Sequence, residues 1–225
     1  AIRRPLFGFL GAVYPKADWA PRWLRAKSTF QSLATDTLQG YFNTVSLMGD
    51  DVRGALFSAD FRRDLGGYGA LQVFRDHLAS QPQSDPLSLA TFLDVKTYLP
   101  GDILTKVDRA SMAHSLEVRV PMIDHELVEW IARLPNHVKL RGQQGKYLLK
   151  KAMEPHLPQR VLYRPKMGFS IPLASWFRGP LRERVRERVL TGRLAELGIF
   201  DMENVRKLVH QHERGVRDNS EYLWA

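Results

Sequence analysis

The stretch D-I-L-T-K-V-D-R-A-S-M-A-H-S-L-E-V-R-V-P-M-I-D, residues 102–124, changes its hydrophobic period halfway along, and that change decides the fold class. In its first half Ile103, Leu104, Val107, Ala110, Ser111 and His114 recur at three and four, the single stripe of an amphipathic helix. Asp102 stands just ahead of the stripe, where a carboxylate can accept the free backbone N–H groups of a helix start. After His114 the period drops to two. Leu116, Val118 and Val120 alternate with Glu117 and Arg119, which predicts an extended segment with one buried face, ended by Pro121. Asp124 then predicts a new N-cap, for a helix through Leu127, Val128, Ile131 and Leu134.

Upstream, Pro86 to Leu99 puts Leu89, Phe92, Leu93 and Lys96 on one helical side, and Pro100-Gly101 predicts a stop. Asp51 to Leu65 and Tyr68 to Ala79 read as two short amphipathic helices, and Ser28 to Leu38 as another helical stretch in an otherwise Pro-, Gly- and aromatic-rich lead-in. Downstream, helices are expected at Gly145 to Met153, Leu181 to Leu190 and Glu203 to His212. Between them, Pro165, Gly168 and Pro172 make Arg160 to Pro172 irregular, so Lys166 falls on a loop. Eight or nine helices against one or two short extended segments make the chain mainly α.

Composition narrows the chemistry. The chain has 225 residues, 44% of them hydrophobic, enough for one large or two small cored domains. It has no cysteine, which excludes a disulfide scaffold, a thiol nucleophile and a thiolate metal site within these residues. The longest apolar run, Phe7 to Tyr14, contains two glycines and falls short of the ~18 residues that cross a bilayer. Seven histidines form no H-x-x-x-H or H-E-x-x-H pattern, so no metal site is expected. Gly66-Gly67-Tyr68-Gly69 lacks the lysine and preceding strand of a phosphate loop and reads as a turn. The net charge of +9 lies entirely in residues 138–225, with 18 basic and 9 acidic side chains. Such a surplus holds phosphates or solubilises a helical surface. The chain opens at Ala1 without an initiator Met, which suggests a piece of something longer.

Two places could carry chemistry. Asp102, Lys106, Asp108 and Arg109 put two carboxylates and two cations on one helix, with Asp102–Lys106 at i, i+4 and Lys106–Arg109 at i, i+3. Glu117 and Arg119 follow on the open side of the extended segment. By spacing alone these are surface ion pairs of about 0.3–0.5 kcal/mol each. Lys166, flanked by Arg160 and Arg164 and by Met167 and Phe169, could deliver a positive charge to a polyphosphate or be an ordinary surface lysine.

The run L-T-K-V-D-R-A-S-M-A-H-S-L-E-V-R-V-P-M-I-D (104–124), with G-K-Y-L-L-K-K-A (145–152) and R-P-K-M-G-F-S-I-P (164–172), resembles the C-terminal half of the synthetase domain of glutamine-hydrolysing asparagine synthetases. The resemblance spans about residues 86–190 in order and spacing. It implies that residues 1–225 are a partial synthetase domain: lead-in helices over 1–85, a family-matching helical core over 86–190 and a helical tail over 191–225. The implied fold is the helical C-terminal portion of an α/β adenine-nucleotide alpha-hydrolase-like ATP pyrophosphatase domain. Residues 13–21 are similar to asparagine-synthetase-like amidotransferases of exosortase and exopolysaccharide systems.

The family resemblance further implies a cytoplasmic ligase that activates a carboxylate as an acyl-adenylate, which ammonia released from glutamine then attacks. ATP, Mg and aspartate or another carboxylate are its implied substrates and cofactors. The Mg ligands, the S-G-G-x-D-S pyrophosphate loop and the glutaminase cysteine are not in this chain, so the fragment alone is expected to be inactive. Position by position, the family's phosphate-side lysine falls on Lys166, with Gly168 beside it. Asp102, Lys106, Asp108 and Arg109 match the helix lining the substrate side, and Glu117 and Arg119 match E-x-R-V-P. No membrane association is implied, and a homodimer is left open. The alternative is a basic helical module for nucleic acid or an anionic partner. It is disfavoured because Arg182, Arg184, Arg186 and Arg188 are interrupted by Glu183 and Glu187, with no interleaved aromatic to stack a base.

Overall fold

The computed structural model describes residues 35–83, 85–165, 168 and 171–225, together with Leu6, Phe9 and Val13. These residues are mainly helical, with one two-stranded sheet. They divide into two compact units, Ala1–Asp76 with Ser170–Ala225, and His77–Phe169. Most of the Ser28 to Leu38 stretch lies outside the described residues.

The first unit joins lead-in to tail. Its helices are α1 (Thr37–Val45), α2 (Asp50–Leu56), α3 (Ala59–Asp64), the first part of α4 (Leu71–Ser80), α11 (Leu173–Arg178), α12 (Arg182–Leu190), α13 (Arg193–Glu196), α14 (Met202–Glu213) and α15 (Ser220–Trp224). Phe42 and Phe74 meet edge to face at 5.4 Å and are both buried, as are Leu56, Leu71, Phe177, Val205 and Val209. Val205 and Val209, one helical turn apart, make the buried stripe of α14, which packs on α2, α11 and α12.

The expected helix from Asp51 to Leu65 is two helices. Phe57 is extended between them and bridges Phe200, while Ser58 N–H donates to the Ile199 carbonyl and Asp201 N–H to the Leu56 carbonyl, both at 2.8 Å. The Ser58 hydroxyl donates to the Gly198 carbonyl at 2.6 Å and accepts from Phe61 N–H, so it caps α3 as well. This tie, some 140 residues long in sequence, has no local signal.

The second unit contains α5 (Pro86–Leu93), a π-helix (Asp94–Leu104), α6 (Thr105–Met112), a 3₁₀ turn (Pro121–Ile123), α7 (His125–Arg133), α8 (Asn136–Lys139), the hairpin β1 (Leu140–Arg141) and β2 (Gln144–Gly145), α9 (Tyr147–Met153) and α10 (Gln159–Leu162). Asp85 caps α5, accepting from Leu87 and Ser88 N–H at 3.0 Å, and its Oδ1 also accepts from the Asn136 amide at 2.5 Å, tying α5 to α8. Asp124 caps α7 as the sequence predicts, accepting from Glu126 and Leu127 N–H.

Two expectations for this unit are corrected. Pro100-Gly101 does not stop the helix. Helical backbone runs on from α5 into α6 through the π-helix, so Asp102 is an interior residue and not an N-cap. A proline ring collides with the carbonyl four residues back in an α-helix, and the wider i→i+5 turn relieves that contact. The Thr105 hydroxyl donates to the Pro100 carbonyl at 2.7 Å, five residues back, satisfying an acceptor in the widened turn.

Residues 116–120 are not a strand with one buried face. They join no sheet among the described residues, and Leu116, Val118 and Val120 are all exposed. A period of two specifies a face only where another layer covers it, and among the described residues of this unit Leu93 alone is fully buried.

Candidate functional site

Helix α6, which carries Lys106, Asp108 and Arg109, ends in a Schellman motif. Leu116 N–H donates to the Ser111 carbonyl and Ser115 N–H to the Met112 carbonyl, with Ser115 at φ +56° where glycine is usual. This cap closes α6, and Glu117 and Arg119 lie on the segment that leaves it.

Within that framework the charges fall into two separate groups. Lys106 Nζ lies 3.6 Å from Asp102 Oδ1, an exposed i, i+4 pair across the π-to-α junction. Asp108 and Arg109 are exposed on the next turn, with no ion pair among the described residues. Glu117 and Arg119 pair with each other at 2.7 Å. No hydrogen bond or ion pair among the described residues joins that pair to the helix group. Gly168 is exposed, with open space around its α-carbon. Lys166, Met167 and Phe169 lie outside the described residues.

A third group had no place in the sequence reading. Glu154 ends α9 and its Oε1 accepts from Lys151 Nζ at 2.8 Å and from the Tyr163 hydroxyl at 2.5 Å. Lys150 Nζ sits 5.5 Å from the centroid of the Tyr163 ring. The Lys151 hydrogen bond, with that of Tyr163, holds the Glu154 carboxyl below its ordinary range, and donation to Glu154 raises the Tyr163 phenol. The i, i+3 spacing of Lys151 and Glu154 was visible in sequence. The return of Tyr163 nine residues later was not.

Surface concavities of about 320, 690 and 360 Å³ lie in the first unit, and none is lined by a candidate residue. The basic face of α12 is partly neutralised, since Arg182 pairs at 3.2 Å with the nearly covered Glu213. No group of three His, Cys, Asp or Glu side chains that could hold a metal comes together among the described residues. Nor is any helix among them long and apolar enough to cross a membrane.

This mainly helical chain, whose sequence carries R-P-K-M-G-F at 164–169, is matched by the family model described as asparagine synthase over residues 8–225. A Mycobacterium bovis protein, provisionally named a glutamine-hydrolysing asparagine synthetase, is 34% identical over 91% of this chain and 31% of its own length. Asparagine synthetase (glutamine-hydrolysing) 1 of Bacillus subtilis is 27% identical over 91% of this chain and 32% of its own length. The Gallus gallus asparagine synthetase is 39% identical over 34% of this chain and 15% of its own. No solved structure matches.

The chain belongs to the asparagine synthase family. It spans about a third of the length of the full-coverage relatives.

Proposed function

We propose that this chain is the helical part of an ATP-dependent, amide-forming ligase of the glutamine-hydrolysing asparagine synthetase type. The family match across residues 8–225, which includes the sequence R-P-K-M-G-F at 164–169, carries this reading. In the reaction a carboxylate oxygen of the acceptor attacks the α-phosphorus of ATP, the bond to the β,γ-phosphates breaks, and pyrophosphate leaves. Ammonia then attacks the acyl carbon, loses a proton, and AMP departs with the C–O electron pair.

The protein's share of that chemistry is positioning and charge. Lys166 supplies a cation where negative charge develops between the α-phosphate and the attacking carboxylate. Lys106 and Arg109, exposed on α6, offer further positive charge on the substrate side, and Asp102 restrains Lys106 through their 3.6 Å pair. Glu117 and Arg119 stand exposed on the outgoing segment, paired with each other at 2.7 Å. Asp102 is paired with Lys106 and Asp108 stands singly, so the described residues do not supply a cage for Mg²⁺, and no step is assigned to a metal here.

Aspartate or another small carboxylate is the acceptor, with ammonia drawn from glutamine. The chain in isolation is inactive, because its sequence contains neither the pyrophosphate loop nor a cysteine nucleophile. The exposed Met112, Leu116, Val118, Val120, Met122 and Trp130 support the same reading, since so much apolar surface in one unit calls for a covering layer in the whole protein.

The test is to supply the full-length protein with ATP, ammonia and a panel of carboxylates. AMP and pyrophosphate should appear in equal amounts and only with an accepted carboxylate. Formation of ADP and phosphate instead would replace adenylation by phosphorylation.

A further inference from the structure

The concavity of about 320 Å³ in the first unit is walled by α2, by α14 and by the turn that leads from α14 into α15. Hydrogen bonds fix each wall. The Asn204 side-chain amide donates to the Ala55 carbonyl at 2.9 Å and Asp201 N–H to the Leu56 carbonyl at 2.8 Å, which fastens α14 to the end of α2. Beyond α14 the chain turns back at Gly215, φ +69°, and the N–H groups of Val216 and Arg217 both donate to the Gln211 carbonyl, at 3.0 and 3.3 Å. Asn219, 2% exposed, closes that turn: its N–H donates to His212 Nδ1 at 3.1 Å and its side-chain amide to the Leu208 carbonyl at 2.9 Å.

Two opposite charges on these walls have nothing to neutralise them. Asp51 on α2 and Arg217 on the turn both line the concavity, and neither side chain has a hydrogen bond or ion pair among the described residues. The other cation in the lining, Lys207, is already paired with Glu203 at 2.7 Å. Part-buried Val52 and Leu208 add an aliphatic surface to the same lining.

A carboxylate and a guanidinium that line one small concavity without meeting are satisfied together by a ligand that carries both charges. An ammonium suits Asp51, and a carboxylate suits the planar fork of Arg217. A phosphate or dicarboxylate would set like charge against Asp51, and a polyamine would do the same against Arg217. The aliphatic surface favours a short apolar side chain. Walls fixed before the ligand arrives keep the ordering cost of binding low.

We propose that this concavity binds a small apolar α-amino acid as its zwitterion, with the ammonium on Asp51 and the carboxylate on Arg217. None of Lys106, Asp108, Arg109, Glu117 and Arg119 lines it, so binding here is independent of the roles proposed for those residues.

The experiment is calorimetric titration of the full-length protein with L-alanine, L-valine and L-leucine, on the wild type, Asp51→Asn and Arg217→Gln. At least one of the three should bind with a Kd of about 1 mM or tighter. Each substitution should weaken that binding about tenfold or more, the scale of losing one charged hydrogen-bond partner. Both side chains are exposed, so the thermal midpoint should stay in place. The primary amide and the desamino acid of the amino acid that binds each remove one ligand charge, and read the same two contacts on the wild-type protein. Both should bind about tenfold or more weakly than the parent. Absence of binding by all three amino acids overturns the proposal. So does a Kd that either substitution shifts by less than that factor in a folded protein, which would put the binding elsewhere, and so does an analogue that binds as well as its parent.

Discussion

The ring of His212, 1% exposed, sits at the joint of α11, α14 and α15. Its Nδ1 accepts the Asn219 N–H at 3.1 Å, Phe177 packs edge to face against it, and Nε2 has no hydrogen-bond partner among the described residues. Burial, then the Arg178 cation, holds its pKa below the ordinary histidine value. Asp218, 3.5 Å away, the Ala174 backbone and Glu213 oppose that shift incompletely. The unfolded chain therefore binds a proton at this site more readily than the folded one, so stability rises with pH through this group. Its contribution is complete above the unfolded histidine pKa of about 6.5 and is lost as pH falls below it. Urea unfolding at pH about 7.5 and 5.5 should show lower stability at the acid pH, and His212→Phe should flatten the difference. A difference that survives the substitution would put the titration elsewhere.

None of this was legible at position 212. The sequence shows a histidine on an amphipathic helix, and what buries it comes from Phe177 and from the turn at Asn219. Asp124 is the opposite case. Its cap was legible because the partners, the N–H groups of Glu126 and Leu127, are two and three residues away.

Helix existence was legible from periodicity, and helix ends were legible only where local chemistry decides them. The ends of α7, α9, α12 and α14 lie within two residues of the sequence reading because caps, prolines and glycines set them. Pro100-Gly101 misled for a physical reason: the stop rule assumes α geometry, and the chain instead widens to a π-helix that accommodates the proline. The stretch Leu116 to Val120 forms no strand and lacks its expected burial, since a side-chain period cannot report whether a covering layer is present. Ser115 offers a check at this scale. As a non-glycine residue at φ +56° it carries a conformational cost of about 1 kcal/mol. Ser115→Gly should therefore leave the fold unchanged and raise unfolding free energy by a few tenths to about 1 kcal/mol. Ser115→Val should lower it, because a β-branched side chain tolerates the left-handed region worst. Denaturant midpoints of the two variants decide the matter, and equal midpoints would mean that the cap is not formed in solution.

Across the whole molecule the two units differ in how they are held together. One has a core of buried aromatic and aliphatic side chains drawn from both ends of the sequence, whereas among the described residues of the other only Leu93 is fully buried. Family membership was legible from the order and spacing of three motifs. The long-range ties, Ser58 to Gly198 and Asn204 to Ala55, were not, because no local pattern encodes them. The isolated chain should accordingly bind a hydrophobic dye such as ANS and unfold with low cooperativity. The full-length protein should do neither. Dye-free, sharply two-state unfolding of the isolated chain would mean that its apolar faces need no cover.

The central claim, that Lys166 of the R-P-K-M-G-F sequence serves carboxylate adenylation in the proposed reaction, is tested most directly by pyrophosphate release from the full-length Lys166→Ala variant. Carboxylate-dependent pyrophosphate release should fall by two orders of magnitude or more, the scale of losing one charge-stabilising group, with the thermal midpoint unchanged. Release at the wild-type rate in a folded Lys166→Ala protein would contradict the account.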